Sequence, residues 1–197
     1  AGYYKKAHKT VYVSSFSKSE RRGEEEHFIK WFHENGYNVF QPNVDFEGEG
    51  DLLRGHGTDW LGHGFRTSRK VKDIYPFNQF NSLRRLEMVD PRFYHLDTCF
   101  MPLPIENGVL WYPDAFSNKS QEKIRSAIPK KGSIEVTKEE ASAFCCNAVV
   151  IDKKIFMPQC DSVAKRLEKI GYTVYQFDMS EFMKSGGACK CLVMFLD

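Results

Sequence analysis

Four short stretches bring together residue types that can do chemistry on one small molecule. The first is Ser185-Gly186-Gly187-Ala188-Cys189-Lys190-Cys191-Leu192, in which two glycines lead into two cysteines one residue apart. A cysteine attacks as the thiolate, so it needs an electropositive or histidine-assisted setting. Spacing alone does not rank Cys189 against Cys191, and a buried structural cysteine is the common alternative. The second is Tyr94-His95-Leu96-Asp97-Thr98-Cys99-Phe100. Read as a strand, it sets His95, Asp97 and Cys99 on one face, with an imidazole and a carboxylate in reach of the same ligand. Taken alone, it reads more simply as a core histidine with an ion-pair partner.

The third stretch, Phe46-Glu47-Gly48-Glu49-Gly50-Asp51, alternates acids with glycines just after a Pro42-Asn43 turn. Backbone of this kind bends sharply and presents carboxylates at a strand end. A carboxylate there can hold a planar cation in a two-point clasp. The alternatives are an acidic surface loop or a calcium loop, and the ligand spacing of a helix–loop–helix calcium hand is missing. The fourth is Gly62-His63-Gly64-Phe65-Arg66-Thr67, a glycine turn that can offer the Arg66 guanidinium to a ligand carboxylate.

Strands and helices that alternate along the chain must position these groups. Val11–Phe16 reads as a strand. Ser19 opens a helix with Phe28, Trp31 and Phe32 on one face, Gly36 ends it, and Tyr37–Gln41 returns as a strand. Much later Val163–Ile170 reads as a helix, Gly171 stops it, and Tyr172–Phe177 is a strand. Gly36-Tyr37-Asn38-Val39-Phe40-Gln41 and Gly171-Tyr172-Thr173-Val174-Tyr175-Gln176 share one pattern. That suggests an internal repeat, although two ordinary glycine-stopped helices give the same look. Between them lie two strand pairs, Phe93–Leu103 with Gly108–Tyr112 and Ala148–Ile151 with Lys154–Met157. Helices are read over Ser117–Ile128 and over Thr137–Phe144, the latter opened by a Thr137/Glu140 capping pattern. Cys189–Leu196 reads as a final apolar strand. The architecture is α/β in a single domain over residues 1–197, with no linker or low-complexity segment.

Composition narrows the function classes. The 197 residues are 42% hydrophobic and 27% charged, as in a globular chain. A net charge of +2 with no long basic run gives nucleic-acid binding no support. The Arg84-Arg85 pair reads as solvated helix surface. No apolar stretch approaches the roughly 20 residues that span a bilayer. The start, Ala1-Gly2-Tyr3, has no methionine and no signal-peptide run and reads as a processed or trimmed end. The six cysteines, two adjacent and two one residue apart, do not suit a disulfide framework and point to a reducing compartment. Zinc-ligand spacing is missing.

In this order the four stretches resemble the guanidine-modifying enzyme superfamily of arginine and agmatine deiminases, dimethylarginine hydrolases and amidinotransferases. The nearest look is to the amidinotransferase-like branch, through His95-Leu96-Asp97-Thr98-Cys99-Phe100 and the Leu110-Trp111-Tyr112-Pro113 strand. The resemblance implies a pentein-type propeller of repeated strand–helix modules, of which about four of five are traceable here and the first is not visible. It implies Cys191 as nucleophile, the residue that follows Gly186-Gly187 after three intervening residues, and His95 as general acid and base. Asp51 and Asp97 would hold the guanidinium, Arg66 the substrate carboxylate, and Asn147 would be a polar residue of the site. An acid often precedes the Arg-Thr arginine in deiminases; Phe65 stands there, which counts against plain arginine deimination. The implied reaction is attack on the guanidinium carbon of arginine or a derivative, through an amidino-cysteine adduct resolved by water or an amine. The implied protein needs no cofactor or metal, takes a small guanidine as partner, and can pair as a homodimer. It would work in the cytoplasm, with the mitochondrion as second location. The alternative is an inactive relative that binds arginine or serves as an interaction module.

Overall fold

The computed structural model describes residues 2–5, 9–73, 77, 80 and 82–196, which form four three-stranded sheets, each built to the same plan. In the first, β1 (Gly2–Lys5) and β2 (Thr10–Val13) make an antiparallel pair. The helix α1 (Gly23–Glu34) crosses over, and β3 (Asn38–Phe40) returns parallel to β2. The plan recurs with β4 (Leu52–Gly55), β5 (Thr58–His63) and β6 (Leu83–Glu87). It recurs again with β7 (Phe100–Leu103), β8 (Gly108–Trp111), α2 (Asn118–Ala127) and β9 (Ser133–Glu135). After the short α3 (Lys138–Ser142) come β10 (Val149–Ile151), β11 (Lys154–Pro158), α4 (Asp161–Lys169) and β12 (Thr173–Phe177), and then α5 (Ser180–Met183).

Local detail supports a true repeat. Just before the middle strand of each sheet stands a non-glycine residue with positive φ: Lys9 at 46°, His56 at 56°, Asn107 at 49° and Asp152 at 53°. Left-handed turn residues match the right-handed twist of the strands they join. The paired Gly-Tyr segments also do the same job. Gly36 and Gly171, with φ of 73° and 102°, follow α1 and α4. Asn38 then pairs with Thr10 and Thr173 with Lys154, each the first residue of its middle strand. The middle strand is the buried one: β8 has no exposed position, whereas β12, at a sheet edge, is mostly exposed.

The expected capping box opens α3, with Thr137 and Glu140 bonded to each other's backbone N–H. Three expectations change. Arg84 and Arg85 lie on strand β6, not on a helix. The strand expected from Phe93 starts only at Phe100, because Leu96–Thr98 form a 3-10 turn. The strand expected over Cys189–Leu196 is a 3-10 turn at Lys190–Leu192. The largest core cluster joins the second, third and fourth sheets around Trp60, Phe100, Trp111 and Phe116. No helix among the described residues is long and apolar enough to cross a membrane.

Candidate active site

The chemically loaded stretches converge from loops that lead into or out of the sheets. A cavity of about 580 Å³ is lined by Glu47, Arg66, Tyr94, His95, Asp97 and Cys191, among others. Cys191 opens onto it. Its sulfur lies 3.2 Å from Asn147 Nδ2 and 3.8 Å from Asp97 Oδ2. Its low-dielectric surroundings, and then the Asp97 carboxylate, push the thiol up to about 11, so the free site holds Cys191 protonated. Cys189 faces the other way, buried beside Val149, Met179 and Ala188. Of the two, Cys191 is therefore the cysteine on the cavity wall.

Asn147 holds the nucleophile turn. Its Oδ1 accepts from Ala188 N–H at 3.0 Å and from Cys191 N–H at 3.3 Å, while Nδ2 donates to the sulfur. Gly187 packs closely against the nucleophile, since a β-carbon there would stand 3.0 Å from Cys191 Cβ and 3.2 Å from its sulfur. From the opposite side, Tyr94 O–H donates to the Gly186 carbonyl at 2.5 Å.

His95 stands in extended backbone just before the Leu96–Thr98 turn. Burial works against its charged form. The carboxylates of Asp51, Glu47 and Asp97 outweigh burial, and the imidazole is raised above its usual range. Nε2 lies 2.5 Å from Glu47 Oε2. Glu47 is buried, which would favour its neutral form. His95, Ser17 and Arg66 override this and hold it down near 2. The ionised Glu47 therefore accepts from Nε2–H. Its other oxygen takes Ser17 N–H and O–H at 3.2 and 2.9 Å, with Arg66 3.6 Å away.

The two expected guanidinium acids part company. Asp97 is buried, and its Oδ1 is one of the few buried side-chain oxygens with no hydrogen-bond partner among the described residues. Burial raises its carboxyl to about 6. Asp51 is fully buried and does not reach the cavity wall. Its Oδ2 accepts from Thr67 O–H at 2.6 Å and its Oδ1 from Leu96 N–H at 2.9 Å. Asp51, expected to hold the guanidinium, thus has both of its oxygens already bonded, one to Thr67 and the other to the turn that carries His95 and Asp97. Cys99, expected on the face of His95, is instead core, because the 3-10 turn ends the alternation. Arg66 lies on the cavity wall with its guanidinium 4.9 Å from the Tyr94 ring. Among the described residues no cluster of three metal-ligating side chains occurs.

The chain matches, over residues 3–196, the family of eukaryotic N,N-dimethylarginine dimethylhydrolases. It belongs to that family. An uncharacterized Caenorhabditis elegans protein is 41% identical over 94% of this chain and 67% of its own length. The bifunctional arginine dihydrolase/ornithine cyclodeaminase ArgZ of Synechocystis is 39% identical over 93% of this chain, which spans only 27% of that longer protein. The solved N-terminal domain of ArgZ, covalently bound to a reaction intermediate, superposes with a TM-score of 0.92 at 36% identity, over 100% of this chain and 73% of that one. The family lies within the guanidine-modifying superfamily that the motifs resemble, on its dimethylarginine hydrolase branch. Glu47, Tyr94 and Lys190 are the site residues that the sequence reading left unassigned. The alternation Glu47-Gly48-Glu49-Gly50-Asp51 contains the signal but does not rank its three acids.

Proposed function

We propose that the chain is a hydrolase of a small guanidine, free arginine or an arginine methylated on its guanidinium, using Cys191 as nucleophile. The observation that carries this reading is Asp97: a buried carboxylate with one oxygen unpartnered, beside an accessible cysteine sulfur at 3.8 Å. A guanidinium N–H offered to that oxygen would set the central carbon against the sulfur. The arriving cation would also offset the Asp97 charge that now disfavours the thiolate.

With the cation bound, the Cys191 thiol gives up its proton to solvent, and the thiolate attacks the guanidinium carbon to form a tetrahedral centre. The His95 imidazolium, held by Glu47, gives its proton to the departing amine as the C–N bond breaks. A planar amidino group remains on sulfur. Water then adds to the same carbon, losing a proton to neutral His95, and the C–S bond breaks to return the thiolate. Arg66 would receive the substrate carboxylate. Asn147 acts through the nucleophile turn, and Asp51 through the turn of His95 and Asp97.

The test is mass spectrometry of the products from arginine and from dimethylarginine, each with and without glycine. The expected result is release of ammonia or dimethylamine with water incorporated into the remaining product, unaffected by glycine. Transfer of the amidino group to glycine would overturn hydrolysis. No product from either guanidine, with arginine still bound, would favour the binding-only reading.

A further inference from the structure

Next to Cys191 in the sequence stands Lys190, a cation that the hydrolysis above does not use. Its ammonium is 2.5 Å from Glu49 Oε2, and both side chains are largely buried, at 10% and 15% exposure. A buried lysine held this way has little rotamer freedom left, and the pairing fixes where its charge sits. The pair joins residues 141 positions apart. It ties the Gly48–Gly50 turn before β4 to the Lys190–Leu192 turn that carries the cysteine. The ammonium also reaches the Val193 carbonyl at 3.4 Å and faces the Phe195 ring at 5.5 Å, so the turn wraps its own lysine.

The pair has a second distinctive placement. A further cavity, of about 520 Å³, shares Glu49, Asp97 and Lys190 with the cavity of Cys191. The ion pair thus stands in the wall between two open spaces, with Asp97 beside it. Lys190 is among the charges that act on both Asp97 and Cys191, favouring the ionised form of each.

We propose that Lys190, locked in place by Glu49, is a positioning residue for Cys191: it fixes the nucleophile turn and places a positive charge on the turn that carries the sulfur. The inference rests on the reading of Cys191 as nucleophile. The other charges that bear on the sulfur are Asp97 and, across the recess, Tyr94. His95, Glu47 and Arg66 share its cavity, with Arg21 and Glu24 farther along the wall. Within this set Asp97 opposes the thiolate, and Lys190 is the cation on the cysteine's own turn.

The experiment is the pH profile of alkylation by iodoacetamide, read at Cys191 by peptide fragmentation, on the full chain and three variants. In the unmodified chain, Cys191 alkylation should rise through one midpoint. Lys190→Met should move that midpoint up by about one pH unit, roughly tenfold slower labelling at any pH below it. Glu49→Gln frees the lysine charge from its partner and should move the midpoint down, with labelling several-fold faster. Lys190→Arg keeps the charge and should stay within about twofold of the parent. A turn that was merely loosened would move the Met and Gln variants the same way, and that result overturns the inference, as does an unmoved midpoint in Lys190→Met. Should Lys190→Met fail to fold by circular dichroism, the sign of Glu49→Gln and the rescue by Arg decide the matter. Absence of any titrating label at Cys191 in the parent would bring down the nucleophile reading itself. A normal parent profile with the wrong signs in the variants brings down the Lys190 inference alone.

Discussion

Asp51 and Asp97 are the same residue type, both buried and both tied to one turn, yet the structure leaves them in opposite conditions. Asp51 spends its two oxygens on Thr67 O–H and Leu96 N–H. Among the described residues, Asp97 keeps Oδ1 without a partner and meets only the weak thiol donor at Oδ2. A buried carboxylate that is fully bonded holds its surroundings together. One that is left short of partners is unfavourable in the resting protein and is satisfied when a cationic ligand arrives. Unfilled bonding capacity, more than burial or charge, separates a ligand-holding acid from an architectural one. The same distinction sorts the cysteines: Cys189 and Cys99 are packed away, whereas Cys191 faces the recess.

The sharpest way to break this comparison is at the sulfur. Cys191→Ser should lower turnover by at least about a thousandfold and abolish the covalent adduct seen by intact-mass analysis. Cys189→Ser should keep turnover within a few-fold. Full activity in the Cys191 variant would place the nucleophile elsewhere. Next comes the proton-transfer pair. Glu47→Gln removes the carboxylate that holds the His95 imidazolium, and kcat should fall by roughly a hundredfold or more. Stability changes as well. The folded-state carboxyl of Glu47 lies near 2, below its usual 4.5, so its stabilising contribution is present above pH 4.5 and is lost as the pH falls toward 2. Acid unfolding of the parent should steepen across that window and flatten in the Gln variant. Identical acid profiles would show that the pair adds nothing to the fold.

Matched alanine substitutions test the two aspartates directly. Asp51→Ala leaves Leu96 N–H and Thr67 O–H buried without an acceptor, which should cost about 2–3 kcal/mol of stability. Asp97→Ala should do the reverse. Its folded carboxyl titrates near 6, raised from 3.8, so the folded chain binds the proton more tightly and the group costs stability as pH rises from 3.8 through 6. At pH 7 Asp97→Ala should therefore melt no lower than the parent while KM for the guanidine rises at least about tenfold. Melting curves at pH 7 and 5 check both, and an Asp97 variant that unfolds as readily as the Asp51 variant would erase the distinction.

The sequence made the plan of the molecule readable where local chemistry is strong. Glycine-stopped helices, the Thr137/Glu140 cap and the repeated Gly-Tyr segments all stand where the residues put them. The β4–β6 unit was not legible because its strands are short and mixed, with Arg54, Gly55 and Asp59 among the apolar residues. Strand alternation misplaced Cys99, since nothing in Leu96-Asp97-Thr98 announces a 3-10 turn. That His95, Asp97 and Cys191 share one cavity was readable through the order of their motifs. The role of Asp51 was not, because it depends on Thr67 and Leu96, contacts that no spacing within one stretch can reveal. Glu49 and Lys190 are 141 positions apart and meet only in the fold.

The smallest expected effect lies at Tyr94, where the turn of His95 reaches the turn of Cys191. Its O–H donates to the Gly186 carbonyl at 2.5 Å, and its ring stands 4.9 Å from that of His95. Tyr94→Phe keeps the ring and removes the bond, so the ring contact with His95 survives and only the tie to the nucleophile turn is cut. The cost should be about 1 kcal/mol in stability. Because Asn147 still grips the turn through Ala188 and Cys191 N–H, kcat should fall only a few-fold. A loss as large as that of Glu47→Gln would mean that the phenol itself touches the reacting atoms. A kcat equal to the parent's would mean that Asn147 alone sets the sulfur beside Asp97.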